Sequence, residues 1–190
     1  MDVTFKIVNV VSTALLDRPM ELESLHELFP HEVVHDQEIY GGRVAYFKSK
    51  GMKGKVSIFT SGKMISIGTK SVERATKELK TVAKTLNASL KTKPKIQNIV
   101  ATADLKTSID LESFLNQTQK EKQFHAIYEP EQFPGVIIKF PVAQNSEATI
   151  LLFSSGKLVC VGLTRYDHIQ KAVEFLTSKL MASNLFKHSE

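Results

Sequence analysis

Hydrophobic and polar positions alternate with two different periods along this chain. Residues 5–14 and 96–103 are rich in β-branched side chains and read as strands. Residues 20–29 and 109–115 instead put Leu22, Leu25, Leu28 and Ile109, Leu111, Phe114, Leu115 at helical spacing, and Pro30 bounds the first of these. Four strands follow each short helix. They are 33–39, 43–48, 55–60 and 63–68 in the first half, and 124–128, 136–140, 148–154 and 157–162 in the second. The dipeptides Ser61-Gly62 and Ser155-Gly156 read as tight hairpin turns. A longer amphipathic helix closes each half. Residues 71–90 carry the stripe Val72, Ala75, Leu79, Val82, Ala83, Leu86, and 167–180 carry Ile169, Ala172, Val173, Leu176, Leu180. Ser71 and Asp167 are expected as N-caps, because a side-chain oxygen there accepts an otherwise unpaired helix N–H.

The same grammar twice is a repeat. Residues 59–68 and 153–162 are identical at five of ten positions, and Tyr40-Gly-Gly and Val8-Asn-Val-Val match Phe133-Pro-Gly and Gln97-Asn-Ile-Val in the same order. Two copies, 1–93 and 94–190, are expected to form an α+β fold with helices on one face of antiparallel sheet. A half-solvated strand should alternate apolar and polar residues. Leu158-Val-Cys-Val161 and Ile150-Leu-Leu-Phe153 do not. Their second face therefore needs a cover, which is a binding partner, a third layer or a second copy of the chain.

Composition narrows the classes. With 42% hydrophobic and 24% charged residues the chain can bury a core. One cysteine, Cys160, excludes a disulfide framework, and no apolar run approaches a membrane span, so no membrane partner is expected. The start lacks the profile of a secretory signal, and a soluble intracellular protein is expected. Residues 1–95 hold 16 basic and 10 acidic side chains, a surplus of six, while the rest carry one net negative charge. A lysine-rich half suits a polyanion, and equally a solvated surface.

Enzyme motifs are sparse. His31-Glu-Val-Val-His35 is a literal HExxH, the remote possibility of a zinc peptidase. The repeat alignment puts it in a strand, where the two imidazoles would stand about 13 Å apart and could not share a zinc ion. There is no Walker loop, G-x-G-x-x-G or G-x-S-x-G, and Cys160 lies mid-strand in an apolar run. No catalytic residue, metal or cofactor is expected.

Gln97-Asn98-Ile99-Val100, Tyr128-Glu-Pro-Glu-Gln-Phe-Pro-Gly135 and the paired Phe59-Thr-Ser-Gly-Lys63 and Phe153-Ser-Ser-Gly-Lys157 resemble the TATA-box-binding protein family. The resemblance implies a pseudo-twofold saddle, a ten-stranded antiparallel sheet with four helices on the convex face and the DNA minor groove on the concave one. Asn9 and Asn98 would be amide donors near the pseudo-dyad. Val11, Val100, Ile65, Leu151 and Val159 would meet the groove floor. Phe59 with Tyr40, and Phe153 with Phe133, would wedge between base steps. Lys63, Lys157, Lys70 and Lys139 would approach phosphates, with Ser61 and Ser155 beside them. Glu129 and Glu131 match positions that bind transcription factor B, and RNA polymerase is implied beyond it.

The chain also departs from the family pattern. Tyr40 replaces an expected phenylalanine, Ile67 and Val161 stand where threonines are expected, Ile39 replaces a basic residue and Thr164 a lysine. A divergent archaeal-like or viral member is implied, acting in the cytoplasm or nucleoid, or in the nucleus of a eukaryote. A homodimer in the absence of DNA is a further expectation. The rival reading is an interaction scaffold with weak or altered DNA binding.

Overall fold

The computed structural model describes residues 3–118, 121, 123–182 and 186–187. In chain order the elements are β1 (Phe5–Leu15), α1 (Leu22–Leu28), β2 (Val33–His35), β3 (Val44–Phe47), β4 (Lys55–Phe59), β5 (Lys63–Thr69) and α2 (Val72–Thr85). Then come β6 (Lys95–Asp104), β7 (Ser108–Ile109), α3 (Leu111–Thr118), β8 (His125–Ile127), β9 (Gly135–Ala143), β10 (Ser146–Phe153), β11 (Lys157–Leu163), α4 (Tyr166–Ala182) and β12 (Phe186–Lys187). The chain forms two compact units. One is Val8–Gln97; the other is the chain from Asn98 onward together with the residues before Val8.

In the Val8–Gln97 unit the strands run β2-β3-β4-β5-β1, all antiparallel. Helix α1 packs on β2 and β3, and α2 on β4 and β5. The apolar stripe of α2 explains the docking: Ala75 is buried, and Leu79, Val82 and Ala83 share a buried cluster with Val56, Ile58 and Met64. Each fully buried Leu, Val, Ile or Met side chain contributes about 1.5–3 kcal/mol relative to exposure. Ser71 caps α2 as expected, its hydroxyl accepting the Arg74 N–H at 3.2 Å.

The second unit repeats this plan in the order β6-β11-β10-β9-β8, with α3 on β8 and β9 and α4 on β9, β10 and β11. Its core is more aromatic. Phe124 stacks on Phe140 at 5.2 Å, and Phe175 lies 5.0 Å from Phe140 and 5.7 Å from Phe124. The two units thus contribute ten antiparallel strands and four helices, the α+β plan expected from the periodicities, with β7 and β12 forming a separate two-stranded sheet.

Three local expectations are corrected. Ile109 is not helical but belongs to β7, which pairs with β12, so a ladder partner overrides its helical spacing. Asp167 is not an N-cap: it is the second residue of α4, and its carboxylate accepts two bonds from the Arg165 guanidinium at 2.9 and 3.0 Å. The expected strand 33–39 stops at His35, because the chain turns at Ile39–Gly42, with Tyr40 and Gly41 in the left-handed region.

Candidate nucleic-acid interface

In β1, β5, β10 and β11 residues buried under the helices alternate with half-buried or exposed residues on the other face, whereas on β3 and β4 Val44 and Ser57 of that other face are themselves buried. Val10, Ser12 and Ala14 of β1 are buried, whereas Asn9, Val11 and Thr13 face away from the helices. In β11 Leu158 and Cys160 are buried, and Val159 and Val161 lie on the open face. Burial pushes the Cys160 thiol up to about 12, which is inert chemistry.

Strand register orders the open face into rungs, because directly opposed antiparallel residues share a face. One rung in the Val8–Gln97 unit is Val34–Tyr46–Ser57–Ile65–Thr13. Its counterpart in the other unit is Ile127–Ile137–Leu151–Val159–Thr102. Ile67 stands opposite Lys55, Val161 opposite Thr149, and Thr149 opposite Lys139.

The two asparagines lie at matching bulges. The β1–β5 register slips between Val10 and Ser12, and the β11–β6 register between Cys160 and Leu163. Gly68 and Gly162 occupy the slips with φ of +90° and +85°, a backbone conformation that glycine adopts without strain. Each bulge takes its glycine N–H out of the regular ladder. Asn9 Oδ1 accepts the Gly68 N–H at 2.7 Å and Asn98 Oδ1 accepts the Gly162 N–H at 2.9 Å. This fixes which end of each amide is oxygen, and leaves both Nδ2 groups as outward donors with no partner among the described residues.

The aromatic pairs differ between units. Phe133 and Phe153 meet at 5.6 Å and 58°. Gly135 makes room for them: a Cβ there would lie 3.0 Å from Phe133 and 3.2 Å from Phe153. Phe59 is half-buried at the end of β4, but Tyr40 is 75% exposed, has φ of +51° and makes no ring contact among the described residues.

The cations divide. Lys63 and Lys157 stand at the starts of β5 and β11, beside the exposed turns bearing Ser61 and Ser155, and Lys139 is exposed on β9. Lys157 lies opposite Asp104, whose carboxyl is held below its ordinary value chiefly by a 2.8 Å bond from Lys106 Nζ. Lys70 is elsewhere, with Lys53 and Arg74 around the start of α2. Glu129 and Glu131 are exposed in the loop before β9, where the Glu129 carbonyl accepts the Gln132 and Phe133 N–H groups. His31 lies in a turn and His35 in β2, its Nε2 2.8 Å from the Gly42 carbonyl. No group of three potential metal ligands occurs among the described residues. Among the described residues no helix is long and apolar enough to cross a membrane.

Sequence reasoning missed Thr13, Tyr46, Lys48, Lys55 and Ser57. The signal was present, since carrying the repeat back from Phe59 and Phe153 sets Lys55 against Thr149 and Ser57 against Leu151. Register then sets Tyr46 against Ile137, and so Lys48 against Lys139.

The profile of the family described as "Transcription factor TFIID (or TATA-binding protein, TBP)" matches twice, over residues 4–89 and 93–182. The TATA-box-binding protein of Sulfurisphaera tokodaii is 35% identical over 97% of this chain and 90% of its own. That of Methanothermobacter thermautotrophicus is 33% identical over 97% and 98%. The solved structure of the Methanococcus jannaschii TBP superposes with a TM-score of 0.70 at 28% identity, covering 94% of this chain and 98% of that one. The names these relatives carry are those of a binding factor, not a catalyst. The doubled profile match, the repeated fold and the paired asparagine bulges agree: the chain belongs to the TATA-box-binding protein family.

Proposed function

We propose that this protein is a general transcription initiation factor that binds A·T-rich promoter DNA from the minor groove, bends it and recruits transcription factor B and RNA polymerase. The observation that carries the reading is the pair of asparagines whose carbonyls are tied to Gly68 and Gly162, so that only donors face outward. The minor groove of A·T pairs offers only the acceptors adenine N3 and thymine O2 above an apolar floor. Two fixed amide donors among Val11, Ile65, Val100, Leu151 and Val159 complement that surface. Each unit would read half of the site. Phe133 with Phe153 would wedge one end and Phe59 with Tyr40 the other. Wedging of this kind, for which this family is itself a standard example, costs about a few kcal/mol of unstacking per step and bends the duplex so that more protein surface makes contact. Flexible T·A steps lower that cost.

Lys63, Lys139 and Lys157 supply phosphate contacts in this reading; Lys70 would reach them only past the start of α2. Exposed Glu129 and Glu131 would meet transcription factor B. The protein would act where the DNA is, in cytoplasm or nucleoid, and a free-state homodimer would cover the open apolar faces.

Fluorescence energy transfer between the ends of a TATA-containing duplex and a G·C-rich control, across a salt series, tests the reading. End-to-end approach on the A·T-rich duplex alone supports it, and the salt slope counts the phosphates engaged. No bending of either duplex by folded protein overturns it and leaves the scaffold reading, under which Phe153→Ala would not alter recruitment of transcription complexes.

A further inference from the structure

One cation on the open face has no counterpart in the other repeat. Lys55 opens β4, the middle of the five strands β2-β3-β4-β5-β1, and shares its face with Ser57 and Ile67. Its Nζ lies over the Tyr46 ring, 4.5 Å from the centroid. Tyr46 stands opposite Ser57, two residues nearer Phe59 along the strand. The ammonium is therefore carried across the sheet face toward the Phe59 end rather than off the end of the strand. The matching positions in the other unit are Thr149, Ile137 and Leu151, with no charge among them. Lys48, the residue after β3, is the next position along from the Phe47–Val56 pair and so falls beside Lys55. Two adjacent cations repel, and the electron-rich tyrosine face gives Lys55 a place away from its neighbour.

We infer that Lys55, held over Tyr46, is a specificity-determining donor that reads base-edge acceptors in the half-site met by the Val8–Gln97 unit. The inference rests on the promoter-binding reading above. An ammonium over the sheet face on the β3 side of β4, level with Ser57 and short of Phe59 along the strand, is placed to meet the groove floor rather than the phosphate rim. There it can donate to adenine N3 or thymine O2, whereas the guanine 2-amino group presents an opposing donor. Ile67, opposite Lys55, lacks the hydroxyl expected at its position, so Lys55 supplies a polar donor at a level of the sheet where Ile67 offers none. The consequence is a site read differently in its two halves.

The test is binding of the parent protein, Lys55→Met and Lys55→Thr to duplexes in which each half-site in turn is A·T, G·C or inosine·C. The last pair presents minor-groove acceptors without the amino group. Melting curves of the variants establish that they are folded. The expected result is that both substitutions weaken A·T and inosine·C duplexes about tenfold, change G·C duplexes little, and do so in one half-site only. Equal weakening of all duplexes, with the salt slope reduced by about one, would make Lys55 a phosphate contact and overturn the inference. Unchanged binding overturns it as well. Both failures leave the promoter reading standing, whereas a parent protein that binds no A·T-rich duplex removes the reading and the inference together.

Discussion

Asn9 and Gly68, 59 residues apart, are joined by a 2.7 Å bond from the glycine N–H to the asparagine Oδ1, and Asn98 and Gly162 repeat the arrangement at 2.9 Å. The bond settles a choice that an asparagine side chain otherwise leaves open, namely which of its ends faces outward. Asn9→Asp and Asn98→Asp test its meaning. Aspartate keeps the acceptor for the glycine, so the fold should survive, but it replaces an outward donor with a carboxylate. Affinity for A·T-rich duplexes should fall at least about tenfold in titrations, with the thermal midpoint nearly unchanged.

Gly135 sits under an aromatic pair that it alone permits. A methyl group there would lie 2.9 Å from the Leu152 carbonyl as well as against both rings. Gly135→Ala should cost about 1–3 kcal/mol in denaturant unfolding, as overpacking does. The same variant should reduce bending at one end of the duplex more than it reduces binding. An unchanged bend would show that the 5.6 Å pairing of Phe133 and Phe153 is not part of the wedge.

Glu78 is a buried acid with a structural role. Its Oε1 accepts the Lys53 and Gly54 N–H groups at 2.8 and 3.1 Å, and its Oε2 has no partner among the described residues. Glu78→Leu strands two amide donors and should cost about 2–4 kcal/mol. Glu78→Gln retains an acceptor and should cost less than about 1 kcal/mol. Urea melts of the two variants make the comparison, and equal losses would mean that charge rather than hydrogen bonding holds the Lys53–Gly54 turn.

Cys160 should resist iodoacetamide at pH 8 in the native protein and react once it is unfolded, since a thiol near 12 is ionised to only about one part in ten thousand there. Its folded pKa lies above the unfolded value of 9.0, so the native state holds the proton more tightly. The associated stability is complete below pH 9.0 and is lost as pH rises toward about 12. Cys160→Val should flatten stability over that window relative to the parent protein, as read by melts at stepped pH.

Much of this was legible in one dimension. The duplicated Phe-x-Ser-Gly-Lys segments, the two amphipathic helices and the strands apolar on both faces all depend on residues close in sequence. Periodicity therefore reports them directly. It left Leu158–Val161 apolar on both faces without saying which is covered, and burial selects Leu158 and Cys160. Periodicity failed at Ile109, where a strand from the far end of the chain supplied a hydrogen-bonding partner that local spacing could not anticipate.

The sequence by itself determined the repeat and the succession of strands and amphipathic helices, because those follow from the chain's own periods of two and 3.6. Tertiary structure decided how the candidate site is equipped. It tied each asparagine to a bulged glycine on another strand, brought Phe133 onto Phe153, left the Tyr40 ring without an aromatic contact among the described residues, and set the Lys55 ammonium over Tyr46. Each depends on strand register or loop conformation. These are fixed only when distant segments pair and local preferences give way to the hydrogen bonds and packing of the whole sheet.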